Sequence, residues 1–196
     1  RKIFKFVIED MYEIKNNKAS LLVKGCYINN IYQSRNQKRF YAATNTGIFS
    51  VSFNGTGWDI ENNYENFNEN VYSVIEDDKG RLWLGCENTV YQVLLDKTAQ
   101  PLAIKTYNFN NDYSERILVR NILGKPFFFL SSGFYSYYET KDSVLYDPNL
   151  NEDFPVNSKY IFSQQNLTWI FDGKVWLNLT KPPEAFTRTI FTSNCS

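Results

Sequence analysis

Short apolar runs, each bounded by polar turns carrying Gly, Asn or Asp, follow one another along most of this chain. The clearest example lies between Val71 and Leu95. Val71–Glu76 has strand length, and Asp77-Asp78-Lys79-Gly80 is turn chemistry, with Gly80 free to take a positive φ. Arg81–Cys86 reads as a second strand, Glu87-Asn88-Thr89 as a second turn and Val90–Leu95 as a third strand. Two consecutive hairpins of this kind form an antiparallel meander, and Ala103–Tyr107 follows a Pro101 connection as a fourth strand.

Weaker copies keep the same order. Ile28–Gln33, Phe40–Ala43, Ile48–Phe53 and Trp58–Ile60 make the first. Ile117–Ile122, a Leu123–Pro126 turn, Phe127–Leu130 and Phe134–Tyr138 make the third. Tyr160–Phe162, Thr168–Phe171 and Val175–Leu177 make the fourth, its last hairpin turning at Asp172-Gly173. Tyr41, Trp83, Phe127 and Thr168 each stand eight residues before an aromatic, and they recur at intervals of 42, 44 and 41 residues. A period near this length, built of strands and tight turns, is the signature of propeller blades. A lone blade would expose an apolar face, so neighbours must stack to bury it.

The fold expected is therefore all-β: a β-propeller of about four antiparallel four-stranded blades. Approximate blade limits are 28–66, 70–112, 116–150 and 158–196. Residues 1–27, with Ile3–Ile8 and Leu21–Val23, supply partial strands of a further blade, and Phe186–Phe191 offers one more strand. A start at Arg1 fits a segment of a longer chain, and open blade edges at its ends would favour self-association.

Composition narrows the chemistry. Aromatic residues make up 17% of the 196, and Tyr, Phe, Val, Ile and Thr dominate the apolar runs, which suits half-buried strands. Lys and Arg number 21 against 21 Asp and Glu, so the Lys/Arg excess that nucleic-acid binding draws on is missing. No run is long and apolar enough to insert in a membrane. Histidine is absent, which excludes Ser-His-Asp and Cys-His catalysis and His-ligated metal sites. Cys26, Cys86 and Cys195 lie far apart with no Cys-x-x-Cys pair, so neither a thiolate metal centre nor any other cofactor is expected. Cys86 reads as a small buried hydrophobe, with a Cys26–Cys86 disulfide as the alternative in an oxidising compartment.

The segment Val71 to Gly85, with Glu76-Asp77, Gly80 and Leu82-Trp83-Leu84-Gly85, resembles the two-component-regulator propeller repeat. The likeness is good over 71–93, partial over 28–53 and weak over 117–138 and 160–179. Cys86 replaces the usual Thr, and Thr89 the usual Gly. The resemblance implies part of a larger, seven-bladed propeller in the periplasmic or extracytoplasmic sensor of a hybrid histidine kinase. It implies ligand binding, of a glycan for example, at loops on one end, coupled to rearrangement of a dimer. The phosphotransfer itself needs a His that this chain lacks. A protein-binding scaffold propeller is the main alternative, and a carbohydrate-active enzyme using carboxylates alone is the third.

Candidate ligand contacts are few. Trp58, beside the Gly55-Thr56-Gly57 turn, could stack on a sugar ring with Asp59 next to it, core packing being the competing account. Trp83 reads as inter-blade core, and Trp169 and Trp176 as a cross-strand pair. Arg35, with Lys38 and Arg39, forms a basic turn. Asn110 belongs to one of two Asn-rich loops, 62–70 and 108–111, that offer hydrogen-bonding groups or serve as ordinary turns. Glu76, Asp77 and Asp78 read as turn residues, since neighbours in one turn cannot face each other across a cleft. Asn166-Leu167-Thr168 is a sequon, meaningful only on a eukaryotic secretory route.

Overall fold

The structure, a computed structural model, describes residues 3–7, 10–16, 18–35, 38–64, 67–110, 113–122, 124–153, 160–164, 167–171 and 176–178. Cys195, the Asp172-Gly173 turn, Asn166 and the Phe186–Phe191 strand lie outside them. The chain divides into two compact units, residues 1–118 and 119–196.

Unit 1 holds three antiparallel sheets of sequential strands. The first is β1 (Ile3–Val7), β2 (Asp10–Lys15) and β3 (Lys18–Lys24). Strand β2 is absent from the sequence expectation because its apolar residues are interrupted by Asp10, Glu13 and Lys15. The second sheet is β4 (Ile28–Gln33), β5 (Arg39–Thr44), β6 (Gly47–Phe53) and β7 (Trp58–Asn63), in that spatial order. The third repeats it with β8 (Ser73–Glu76), β9 (Leu82–Gly85), β10 (Thr89–Leu95) and β11 (Pro101–Asn108).

Side chains alternate across each strand, so one strand can serve two cores. Ala42, Phe49, Val51 and Trp58 of the second sheet pack with Met11 and Cys26. From the opposite face, Tyr41, Ala43 and Ile48 pack with Val74, Leu82, Leu84 and Cys86 of the third. Burial on both faces explains why β5 and β6 read as nearly continuous apolar runs.

Polar bonds lock the second and third sheets one repeat apart. Asn30 Oδ1 accepts Val74 N at 3.2 Å, 44 residues on. The Tyr32 hydroxyl donates to Glu76 O at 3.0 Å, again 44 residues on. Ser34 Oγ donates to Glu76 Oε2 at 2.7 Å, 42 residues on. At the C-terminal side of the third sheet, Ser73 Oγ donates to Ile117 O at 3.3 Å, also 44 residues on.

Unit 2 contains β12 (Leu118–Ile122), β13 (Lys125–Leu130), β14 (Gly133–Tyr138) and β15 (Ser143–Tyr146) as a sheet in sequential order. Phe127 to Phe129 feed both faces: Phe128 is fully buried, and Phe129 meets Phe134 edge-on at 5.1 Å. The Leu123–Pro126 turn is shorter than the sequence implies, since Pro126 already lies in β13. The short helix α1 (Pro148–Asp153) breaks the all-β pattern; Asp147 caps it through Leu150 N at 3.0 Å, and Pro148 opens it.

The last sheet is β16 (Tyr160–Gln164), β17 (Leu167–Phe171) and β18 (Trp176–Asn178). Its register corrects the sequence reading. Trp176 lies opposite Phe171, and Trp169 opposite Asn178, so the two tryptophans are not a cross-strand pair. In the second sheet Tyr41 pairs with Ser50, nine residues on, in the third Trp83 with Gln92, and in β13–β14 Phe127 with Ser136. Trp169–Asn178 keeps that interval, so Trp169 rather than Thr168 is the equivalent anchor.

Gly47 opens β6 with a φ of +131°, and a Cβ there would lie 2.1 Å from the Phe67 carbonyl oxygen. Gly55 has a φ of +102° but open space around it. Gly47→Ala is therefore expected to destabilise unit 1 by more than about 2 kcal/mol, and Gly55→Ala by about 1 kcal/mol. Urea unfolding of the two variants checks the difference.

Candidate functional site

Connections in an antiparallel meander alternate between the two ends of a sheet. The β4–β5, β6–β7, β8–β9 and β10–β11 turns share one end of their sheets. The other end collects the chain before β4, the β5–β6 and β9–β10 turns, and the chain before β8 and after β11. Arg35, Trp58 and Asp59 fall at the first end and Asn110 at the second, so the four candidates do not form one site.

Nor is each free to bind. Trp58 is 5% exposed, with Phe40 at 4.9 Å and Phe53 at 5.4 Å from its ring centre. Its faces are covered by aromatic core, which corrects the sugar-stacking reading. Asp59 is exposed and bonded to the Asn54 amide, which itself organises the 54–57 turn. Arg35 reaches Asp78 O at 2.9 Å through Nη1, so it joins two sheets rather than standing free in solvent. Arg39 is not in the basic turn at all: it lies on β5 and makes a bidentate pair with Glu61 at 2.5 Å on both arms. Asn110 is exposed in the chain after β11.

The acidic cluster is structural, as expected. Asp77 is fully buried. Its Oδ1 accepts Lys79 N and Arg81 N, both at 3.0 Å. Its Oδ2 accepts Arg81 Nε at 2.7 Å and the Trp83 indole N–H at 2.8 Å. One carboxylate thus shapes the β8–β9 turn and fixes the tryptophan of the following strand. Glu76 reaches back to the second sheet, taking Ser34 Oγ and the Arg35 amide. Among the described residues no cluster of His, Cys, Asp and Glu could hold a metal.

Both described cysteines are buried free thiols in separate cores, so the disulfide alternative is not realised. Burial pushes the Cys86 thiol up to about 12, with Glu69 adding to the effect. Cys26 is raised by burial too, then by Asp10.

The second end carries what the sequence reading missed. Tyr27, just before β4, is 48% exposed, and Tyr113, in the chain after β11, is 58% exposed. At the same end Arg116 lies over the Tyr72 ring, its guanidinium carbon 4.9 Å from the centre. Asparagines hold this surface in shape. Asn45 Oδ1 accepts Tyr27 N at 2.9 Å, and Asn29 donates to Asn70 Oδ1 at 2.7 Å. Asn88, at φ +52°, donates to Tyr113 O and accepts Glu115 N. The positive φ that Gly47 supplies in the second sheet is supplied by Asn88 in the third, so Thr89 needs no glycine conformation. Sequence held a signal: Tyr27 and Tyr72 each stand immediately ahead of the first strand of a sheet.

A cleft of about 190 Å³ opens between β3 and the second sheet, with walls that include Val23, Cys26, Ile48 and Ile60 and a rim of Lys24, Thr46 and Asn63.

Comparison with known proteins gives a consistent picture. Residues 66–88 match the model of the two component regulator propeller family. No curated protein matches the chain. The extracellular domain of a putative hybrid two component system of B. thetaiotaomicron superposes on 90% of the chain with a TM-score of 0.59 and 14% identity. A second such domain from the same organism covers 86% with a TM-score of 0.57 and 16% identity. A B. thetaiotaomicron protein of unknown function covers 88% at 0.55 and 10%. The chain spans 26% and 24% of the length of the two extracellular domains and 53% of the third structure. At these identities the likeness shows the fold.

Two outcomes are expected from the buried groups. Asp77→Ala should cost about 3–5 kcal/mol by stranding the Arg81 and Trp83 donors, and Trp83→Phe should cost less, about 1–3 kcal/mol. Denaturant melts rank them. At about pH 8 the raised Cys86 thiol is protonated and closed off, so iodoacetamide should leave it unmodified in the folded chain and alkylate it in urea. Peptide mass spectrometry reads this directly.

Proposed function

We propose that this chain, which carries a two component regulator propeller repeat at residues 66–88, is part of the extracytoplasmic sensing region of a two-component receptor and is not an enzyme. The observation that supports the reading most is the joint one of repeat and fold: the family motif occupies β8 and β9, and the chain superposes on extracellular domains of putative hybrid two component systems. The sheets correspond to blades at 1–27 (partial), 28–66, 70–112, 116–150 and 158–196 of a larger, seven-bladed ring.

Ligand binding is assigned to the end that bears Tyr27, the Tyr72–Arg116 pair, Asn110 and Tyr113. Exposed tyrosines give flat amphipathic faces, and the asparagines and arginine give directional donors, a combination suited to an oligosaccharide. Absence of catalysis is favoured by the engagement of Glu76 and Asp77 in turn and inter-sheet bonds. Binding would be transmitted through sheet packing to a dimer and onward to a kinase carried elsewhere. A scaffold that binds another protein is the second reading, favoured by the eight-residue outermost strand β11, where Leu102 is 70% exposed.

Calorimetric titration with a panel of oligosaccharides, alongside sedimentation velocity, tests the reading. A saturable ligand is expected, bound about threefold to tenfold more weakly by Tyr113→Ala with the melting temperature unchanged. A panel without binders, or a ligand indifferent to Tyr113→Ala, would overturn the assigned end. The ligand should also shift the sedimentation profile, and a monomer throughout would remove the dimer coupling.

A further inference from the structure

The cleft between β3 and the second sheet is chemically unlike the end surface, and its reading stands whether or not that end binds sugar. Its inner wall is apolar: Ile48 and Phe49 are 2% and 6% exposed, Cys26 is 7% exposed, and Ile60 shows about half its surface on the outer side. No exposed aromatic face lines it. Thr44 Oγ1 at its margin is already engaged with Gly47 O at 3.0 Å. At the rim stand the exposed Lys24, Thr46 and Asn63.

Lys24 carries the only charge among the lining residues. Asp10 lies opposite it on β2 but is otherwise occupied, accepting Gly25 N at 3.1 Å through Oδ1 and the Tyr12 hydroxyl at 3.1 Å through Oδ2. Among the described residues no carboxylate forms an ion pair with the Lys24 ammonium. The same holds for a hydrogen bond from the Asn63 amide group.

We propose that this cleft binds a small amphipathic carboxylate, its apolar body against Phe49, Ile60 and Val23 and its charged head between Lys24, Thr46 and Asn63. Three features select that class. The volume of about 190 Å³ is below the roughly 300–1,000 Å³ of sites for drug-sized ligands, so an oligosaccharide does not fit. Aliphatic walls reward a hydrocarbon body rather than a hydroxylated ring. A cation with no ion pair among the described residues, beside two neutral hydrogen-bonding groups, matches one carboxylate. Asp10, opposite Lys24 and close enough to Cys26 to act on its thiol, opposes the ligand electrostatically.

Hexanoate and 1-hexanol share one apolar body and differ in the charged head. Titration of each into the isotope-labelled chain, followed by amide chemical shifts of Lys24, Gly25, Thr46 and Asn63, tests the proposal. Hexanoate should saturate with a Kd on the order of 1 mM, and hexanol should bind at least about fivefold more weakly. Lys24→Gln, at an exposed position, should reduce hexanoate binding by a similar factor, Lys24→Arg should restore it, and Asp10→Asn should tighten it about twofold to threefold. Equal binding of hexanol and hexanoate, affinity unchanged in Lys24→Gln, or no saturation by about 20 mM would overturn it.

Discussion

One carboxylate without solvent exposure holds together the best-formed part of this fold. Asp77 gathers two backbone amides, a guanidinium and an indole N–H, and each of these donors belongs to the turn or strand that follows it. The turn therefore cannot open without leaving a charge unsolvated, and Trp83 cannot rotate without losing its bond to Asp77. With Trp83 fixed, Leu82 and Leu84 fall on the face that packs against Tyr41 and Ala43 of the preceding sheet. Glu76, next in sequence, projects to that sheet and fastens it through Ser34 and Arg35. Adjacent acidic residues thus do opposite jobs, one shaping its own sheet and the other joining two.

The same division separates the scaffold from the end proposed to bind a ligand. At the Arg35 end, Arg35 and Glu76 are engaged in sheet-to-sheet bonds, whereas the opposite end presents tyrosine rings held by asparagine latches. Asparagine suits that task because its amide both donates and accepts, and because it tolerates the left-handed backbone found at Asn88. A surface held in place by backbone-directed bonds loses little entropy when a ligand settles on it.

Much of the architecture was legible in sequence because it rests on local rules. Runs at 28–33, 48–53, 90–95 and 134–138 became strands with limits shifted by a residue or less, since alternation and turn residues are short-range signals. Strand β2 was hidden because charged residues fall among its apolar ones, and α1 because six residues give no periodicity to read. The Trp169 anchor was misplaced by one position, an error that a turn of unknown length makes easy, since register depends on loop geometry. The candidate site was hardly legible. Trp58 looked available from its neighbouring glycines but is sealed by Phe40 and Phe53, which are distant in sequence. Tyr113 and the Lys24 cleft become visible only when segments far apart in the chain meet.

Inter-sheet bonds in unit 1 connect residues separated by about one repeat: Asn30 to Val74, Tyr32 to Glu76, Ser34 to Glu76. A bonding scheme written in units of its own period has an evolutionary consequence. Copying a whole repeat brings the donors and acceptors for the next joint already in register, while a fractional insertion within the joint misaligns every one of them. Growth of such a chain by duplication is therefore cheap, and divergence afterwards is free to act on the turns, where the positive φ kept at Gly47 is carried by Asn88 instead.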